Sequence, residues 1–448
     1  MREPIVAVAT PYGEGAIGIV RLSGRGVLDI VKRFFKTKGE IKPRYAHYGE
    51  LYDEEGNLLD EGVLIYYKAP RSYTGEDMVE LNLHGNPAIL KRAVELFVKA
   101  GARLAEPGEF TKRAFLSGKL DLTQAEAVAE LISAKTELAR RVALKQLKGE
   151  LSKLVKPLRE KLLTLSAYLE AEIEFAEEDL PTLSREEVLK MVREVLKGVR
   201  ELLKTARTGK ALREGIKLAI VGRPNVGKSS LFNALLKEER AIVTEIAGTT
   251  RDYIEETLQI KGVPVKLVDT AGIRETEDPV ERIGVERSKK KLEEADLVLF
   301  VVDLSSPLTE EDLKIYELVK EKEHLVVANK ADLPQRAELE KIPTENIIKV
   351  SALTGEGLEE LSERILSKAG VQLQDSVNVY VSLRHEELLK KAEAALERLE
   401  KLYKEGEPSP EIAMLEVREA SDYLGEILGE ITTEELLGKI FSTFCIGK

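Results

Sequence analysis

The stretch Gly222-Arg-Pro-Asn-Val-Gly227-Lys228-Ser229 constrains this 448-residue chain more than any other. It follows the apolar run IKLAIV and opens the amphipathic run SLFNALL, so the glycine loop joins a strand to a helix. Backbone N–H groups of such a loop cradle phosphates, helped by the helix N-terminus. Asn225, Val226, Gly227, Lys228, Ser229 and Ser230 are therefore candidate nucleotide contacts. Lys228 would reach the β/γ-phosphates and Ser229 a Mg²⁺.

Three further signals follow in order. Thr249 and Thr250 lie in a loop, AGTTRD, where a threonine can close on Mg²⁺ when a γ-phosphate is present. Asp269-Thr270-Ala271-Gly272 ends a strand; its Asp can hold Mg²⁺ through water and its Gly can offer an N–H to the γ-phosphate. Asn329-Lys330-Ala-Asp332 ends another strand. A carboxylate at Asp332 can accept from N1–H and N2–H₂ of guanine together, a donor pair adenine lacks. Ser351-Ala352 follows as a base-binding loop. Each motif alone is weak, but the ordered set resembles the GTPase superfamily.

The water-activating residue is less obvious. Ile273 stands directly after DTAG, where many small GTPases place Gln, and Ile cannot orient water. Asn225 could help hold a monovalent cation, and Glu281 could orient water. On the residues alone, either is equally a solvated polar side chain.

Around this core the pattern changes twice. Residues 1–118 read as α+β: IVAVAT, GIVRL, VLIYYKAP and VELNLHG as strands, VLDIVKRFF and AILKRAVELFVKAG as helices. Residues 119–210 are helical, with Leu158, Leu162, Leu165, Leu169 and Ile173 on one face. Residues 215–371 alternate buried strands with helices, which predicts a mostly parallel, doubly wound sheet. Residues 372–448 return to helix, with a stripe of Leu388, Leu389, Ala392, Ala395, Leu396, Leu399 and Leu402. The fold class expected is multidomain: an N-terminal α+β domain, a discontinuous α-helical domain, and an α/β P-loop GTPase domain inserted in it. Gly13-Glu-Gly15-Ala-Ile-Gly18 matches a dinucleotide fingerprint, but a strand rather than a helix follows it, so a glycine hairpin is the better reading.

Composition narrows the partners. A net charge of −11 argues against a broad non-specific nucleic-acid surface, although residues 1–118 hold 17 Lys+Arg against 16 Asp+Glu and leave room for a local basic patch. No apolar run is long enough to span a membrane, no signal peptide is evident, and one cysteine excludes an internal disulfide framework. A cytoplasmic protein without a membrane partner is expected.

ATPYGEGAIGIVRLSG, RSYTGEDMVELNLHG, PGEFTKRAFLSGKLDLTQAEA, IVTEIAGTTRD, DTAGIRETEDPVERIG and the terminal FCIGK extend the likeness beyond the nucleotide motifs. With these, the whole chain resembles the MnmE/TrmE family of tRNA modification GTPases. The resemblance implies modification of C5 of the wobble uridine in certain tRNAs, to an aminomethyl or carboxymethylaminomethyl product, together with an FAD-dependent partner protein. It implies that the N-terminal domain forms a homodimer and binds 5-formyl-tetrahydrofolate or a related tetrahydrofolate. It also implies that K⁺ stands where an arginine finger would. Matched by position, K⁺ ligands fall on Asn225, Thr244, Ile246 and Thr249, Mg²⁺ ligands on Ser229 and Thr250, and the water-orienting glutamate on Glu281. Thr244 also joins the GTP contacts. Folate contacts fall on Arg21, Glu80, Lys119 and Lys448.

Cys445 has three readings. A prenylation box is disfavoured by Gly447 and Lys448. A small buried apolar residue is the second. The third is a thiol on a docked tail beside the folate, assisting modification. Two other functions compete with the first: a ribosome-assembly or translational switch, and a folate-dependent one-carbon transferase acting alone. The folate residues and FCIGK favour the tRNA-modifying component.

Overall fold

The computed structural model describes residues 2–175, 183–238, 258–268, 292–373 and 379–448. Two compact units emerge. The first comprises Met1–Ile132, Gln146–Val188 and Lys401–Lys448; the second comprises Ser133–Lys145 and Leu189–Glu400.

The first unit is built on a seven-stranded sheet. Its strands run in the order Phe35–Thr37, Ala46–Tyr52, Leu58–Tyr67, Met78–Gly85, Gly15–Ser23, Ile5–Val8 and Arg103–Leu104. All neighbours are antiparallel except the last pair. Period-2 alternation divides its faces. Val6, Val20, Leu22, Val79 and Leu81 pack with the helices Val27–Lys32 and Pro87–Lys99. Ile5, Ala7 and Met78 point the other way, against Phe110. Asn86 caps the longer helix by accepting from the N–H groups of Ala88 and Ile89. Gly15 and Gly18 lie in a strand, as the hairpin reading expects, and a Cβ on Gly18 would stand 2.4 Å from Leu90 Cδ1.

In the same unit, helix Glu150–Glu174 lies along helix Pro410–Leu428. Arg159 donates to the Ser421 carbonyl at 3.2 Å, and Arg418 pairs with Glu170 at 2.6 Å. Leu162, Leu165 and Leu169 are buried as their spacing predicts, but Ile173 is exposed, so the apolar stripe ends one turn early.

The second unit carries a six-stranded sheet in the order Ile347–Lys349, His324–Asn329, Leu297–Asp303, Ile216–Val221, Val263–Leu267 and Leu258–Ile260. All pairs are parallel except the last, which is closed by a Lys261-Gly262 turn with both φ positive. Leu297, Leu299 and Val301 join one core and Val298, Phe300 and Val302 another, so both faces are covered. The helix starting at Leu383 buries Leu389, Ala392, Ala395, Leu396 and Leu399. Arg193 and Arg200 pair with Glu400 and Glu393 at 2.8 and 2.7 Å. No helix among the described residues is long and apolar enough to cross a membrane.

Candidate functional site

The strand Ile216–Val221 delivers the glycine loop, and the helix Lys228–Glu238 leaves it. Two glycines are required by close approach. A Cβ on Gly222 would stand 2.4 Å from the Val301 carbonyl oxygen, and one on Gly227, whose φ is +96°, would stand 2.2 Å from Asn329 Nδ2. Asn225 adopts φ +64°, a conformation Asn tolerates better than most residues, so backbone shape is a second reason for Asn there.

Lys228 Nζ donates to the carbonyls of Gly222 and Arg223 at 2.6 and 2.8 Å. This folds the ammonium over the loop and leaves one of its three protons for a phosphate. Burial lowers its pKa, with Glu311 opposing. A bound polyphosphate would favour the charged form again.

Asn329 ties the loop to the base side. Its Nδ2 donates to the Val226 carbonyl at 3.0 Å, and its Oδ1 accepts from the Ala352 N–H at 3.1 Å. Lys330 Nζ reaches the Asn225 carbonyl at 3.1 Å and Asp303 at 2.6 Å. Burial raises the Asp303 pKa, but bonds from Lys330 and Ser305 outweigh it and hold the carboxyl below its ordinary value. Ser351 Oγ donates to Asp332 at 2.6 Å and accepts from the Thr354 N–H, orienting a carboxylate that is otherwise exposed. Ser229 and Ser230 are exposed at the helix start. The chain thus brings Asn225, Val226, Gly227, Lys228, Asn329, Lys330, Asp332, Ser351 and Ala352 together. Thr244, Ile246, Thr249, Thr250, Asp269, Thr270, Ala271, Gly272 and Glu281 lie outside the described residues.

Arg223 was not singled out by the sequence. Its guanidinium pairs with Asp312 at 3.0 Å and donates to Ser306 Oγ at 2.9 Å. Asp312 is buried and also closes the capping box with Thr309, so the loop is braced on a helix start. Only the Arg within GRPNVGKS offered a signal.

The other candidate residues meet in the first unit. Arg21 and Glu80 face each other across neighbouring strands and form an ion pair at 2.8 Å. Arg21 also donates to the Gly447 carbonyl at 3.0 Å. Its guanidinium lies 5.6 Å from the Phe110 ring centre and 6.0 Å from that of Tyr73, and Lys448 Nζ lies 5.5 Å from Tyr73. The tail is docked. Thr111 donates N–H and Oγ1–H to the Lys448 carbonyl at 2.6 and 3.0 Å, and Gly108 N–H reaches the Cys445 carbonyl at 3.4 Å. Phe441 and Phe444 bury their rings 5.2 Å apart beside Leu122 and Leu437. Burial, then the charge of Arg21, lowers the Lys448 pKa, while Glu80 opposes.

Lys119 lies beside Gly75, two residues from Tyr73 in sequence. It is exposed, and its Cε lies 3.7 Å from where a Cβ on Gly75 would be. Cys445 is exposed, which removes the buried-apolar reading of that residue. Tyr73, Phe110 and Thr111 were missed as site residues; their sole sequence signal was membership of RSYTGED and PGEFTKRAF.

Two cations, one carboxylate and aromatic faces suit a flat heterocycle that carries an amide-like edge and an anionic tail. This donor set fits a reduced folate. The glycine loop with Lys228 and the Asn329–Asp332 segment fits a guanine nucleotide.

Similarity to known proteins agrees with this geometry. Residues 4–119 match the family model described as GTP-binding protein TrmE N-terminus, and residues 122–445 match the MnmE helical domain. The tRNA modification GTPase MnmE of Aquifex aeolicus (strain VF5) is 78% identical over 448 residues, covering 100% of both chains. The proteins of that name from Thermotoga petrophila and Alkaliphilus metalliredigens (strain QYMF) are each 47% identical; each match covers 100% of this chain, and 100% and 99% of theirs. Matches of this identity along the full length place the chain in the MnmE family of tRNA modification GTPases.

Proposed function

We propose that this chain is the K⁺-dependent, GTP-hydrolysing component of a cytoplasmic system that modifies C5 of the tRNA wobble uridine. The system acts with an FAD-dependent partner protein and a tetrahydrofolate one-carbon donor, and the chain works as a homodimer. The observation that carries the reading is the Asn329 bridge: one side chain joins the phosphate loop at Val226 to the base loop at Ala352. Polyphosphate and purine contacts would thereby be coupled through one side chain. Lys228 would hold the β/γ-phosphates, and Asp332 the guanine edge.

Asn225, Thr244, Ile246 and Thr249 would hold K⁺, and Ser229 and Thr250 Mg²⁺; together these cations would neutralise charge developing on the phosphates. Glu281 would orient the attacking water. Arg21, Glu80 and Lys448 would hold the folate, with Lys119 a further contact to its anionic tail. Cys445 is exposed on the docked tail that ends in Lys448, and we propose that its thiol assists the modification. The domain division proposed is 1–118 for folate and dimerisation, 119–210 with 372–448 for the helical part, and 215–371 for the GTPase.

The test is wobble-uridine nucleoside analysis by mass spectrometry in cells lacking the gene. Loss of the C5 aminomethyl-type nucleoside, restored by the gene but not by a Lys228→Ala copy, supports the reading. Unchanged nucleosides would move the chain to the switch class.

A further inference from the structure

A second basic feature stands apart from the Arg21 cluster. A cavity of about 580 Å³ in the first unit is lined by Arg2, Arg25 and Arg33, with Glu3, Asp29 and Gly101 also on its wall. The backbone fixes this grouping: the Arg25 N–H donates to the Arg2 carbonyl at 2.9 Å. Arg33 donates to the Ala100 carbonyl at 3.3 Å.

The charges do not cancel. Glu3 is engaged by Arg103 at 2.9 Å, which leaves Asp29 as the carboxylate without an ion pair among the described residues. The Arg2 and Arg25 guanidiniums make no hydrogen bond or ion pair among the described residues. Three arginines on one wall raise the local positive potential, which an entering anion would relieve. Their planar forks match phosphate oxygens bidentately.

Whole-chain charge makes the position selective. Residues 1–118 hold 17 Lys+Arg and 16 Asp+Glu, a net of +1, which leaves −12 for the rest of a chain whose total is −11. A polyanion is repelled by most of this protein and steered to its few cationic clefts.

We propose that the Arg2–Arg25–Arg33 cavity binds the sugar-phosphate backbone of the RNA that the protein modifies. The proposal rests on the tRNA reading above and deepens it. Contacts of this kind set register and orientation and read no sequence.

The experiment measures binding of an unmodified tRNA transcript to the full chain by fluorescence anisotropy between 50 and 200 mM salt. The variants are Arg25→Ala/Arg33→Ala and the triple Arg2→Ala/Arg25→Ala/Arg33→Ala. A charge-matched control is Lys314→Ala/Lys341→Ala/Lys368→Ala. About three phosphate contacts contribute about 2–3 to the slope of log K against log salt. The triple variant should lose about tenfold or more in affinity at 50 mM salt. Its slope should flatten by that amount, with GTP hydrolysis and oligomeric state unchanged and the control like wild type. Wild-type affinity and slope in the triple variant overturn the proposal and leave the tRNA reading standing. A wild-type chain that binds no tRNA overturns both. A triple variant that changes oligomeric state assigns the cleft to a second copy of the chain and also overturns it.

Discussion

A Cβ on Gly227 would lie 2.2 Å from Nδ2 of Asn329. The glycine is absent of side chain because the asparagine that bridges the phosphate and base loops passes directly over it. Gly227→Ala would force φ +96° on an alanine and displace Asn329, a strain of about 1–3 kcal/mol before any lost bond. The nucleotide affinity should fall by at least about tenfold, since 1.4 kcal/mol is a factor of ten. Titration with a fluorescent GDP analogue checks this, and unchanged affinity would show that the bridge is dispensable.

Lys448 predicts a pH dependence. Burial and Arg21 lower its pKa in the docked tail, while in an unfolded chain it returns to about the ordinary value of 10.5. Between those values the unfolded state binds more protons, so stability rises with pH. Lys448→Met removes the titration, so the melting temperature of wild type minus variant should increase as pH rises toward the ordinary value of 10.5. A difference that stays flat or falls would mean that Lys448 is solvated.

The tail itself depends on Gly447. Its φ is +93°, and a Cβ there would meet the Val8 carbonyl oxygen at 2.3 Å and the Ala9 Cα at 2.9 Å. Gly447→Val should undock the last residues and release the bond from Arg21. Carboxypeptidase digestion followed by mass spectrometry should show residues 445–448 removed at least about ten times faster than in wild type, the factor for about 1.4 kcal/mol of lost docking. Equal rates would mean that the tail frays already.

Different parts of this architecture were legible for different physical reasons. The glycine loop is local: the eight consecutive residues from Gly222 to Ser229 join strand, turn and helix, so the sequence reading and the structure coincide at Gly222, Gly227 and Lys228. The Arg21–Glu80 pair is 59 residues apart in sequence, and strand register alone brings it together. Only the family likeness pointed there. Strand Ala46–Tyr52 went unread because Tyr45 and Tyr48 are exposed and Gly49 breaks its apolar alternation. Glycine at 49 is explained by packing: a Cβ would stand 2.3 Å from the Lys36 carbonyl oxygen. The apolar periodicity of the long helices was plain, but its end at Ile173 was not, because burial there depends on a partner helix distant in sequence.

The last prediction concerns Arg113, whose side chain is 3% exposed. It pairs with Glu76 at 2.9 Å and with Glu109 at 3.3 Å, and it donates to the carbonyls of Glu3 and Ser23. Glu76 in turn accepts from the Arg2 N–H at 3.0 Å and from Ser23 Oγ at 3.1 Å. Ser23 ends the strand that carries Arg21, so this network fixes the strand from below. Removing one charge leaves another buried and uncompensated, which costs about 3–5 kcal/mol. Arg113→Met should therefore destabilise the first unit by about that amount. Adding Glu76→Gln should recover part of the loss, because the stranded carboxylate is neutralised while its hydrogen bonds from Arg2 and Ser23 can persist. A double-mutant cycle by urea denaturation measures the coupling. A double variant as unstable as the sum of the two singles would mean that the two charges act independently and that Arg113 contributes through Glu109 and its carbonyl bonds instead.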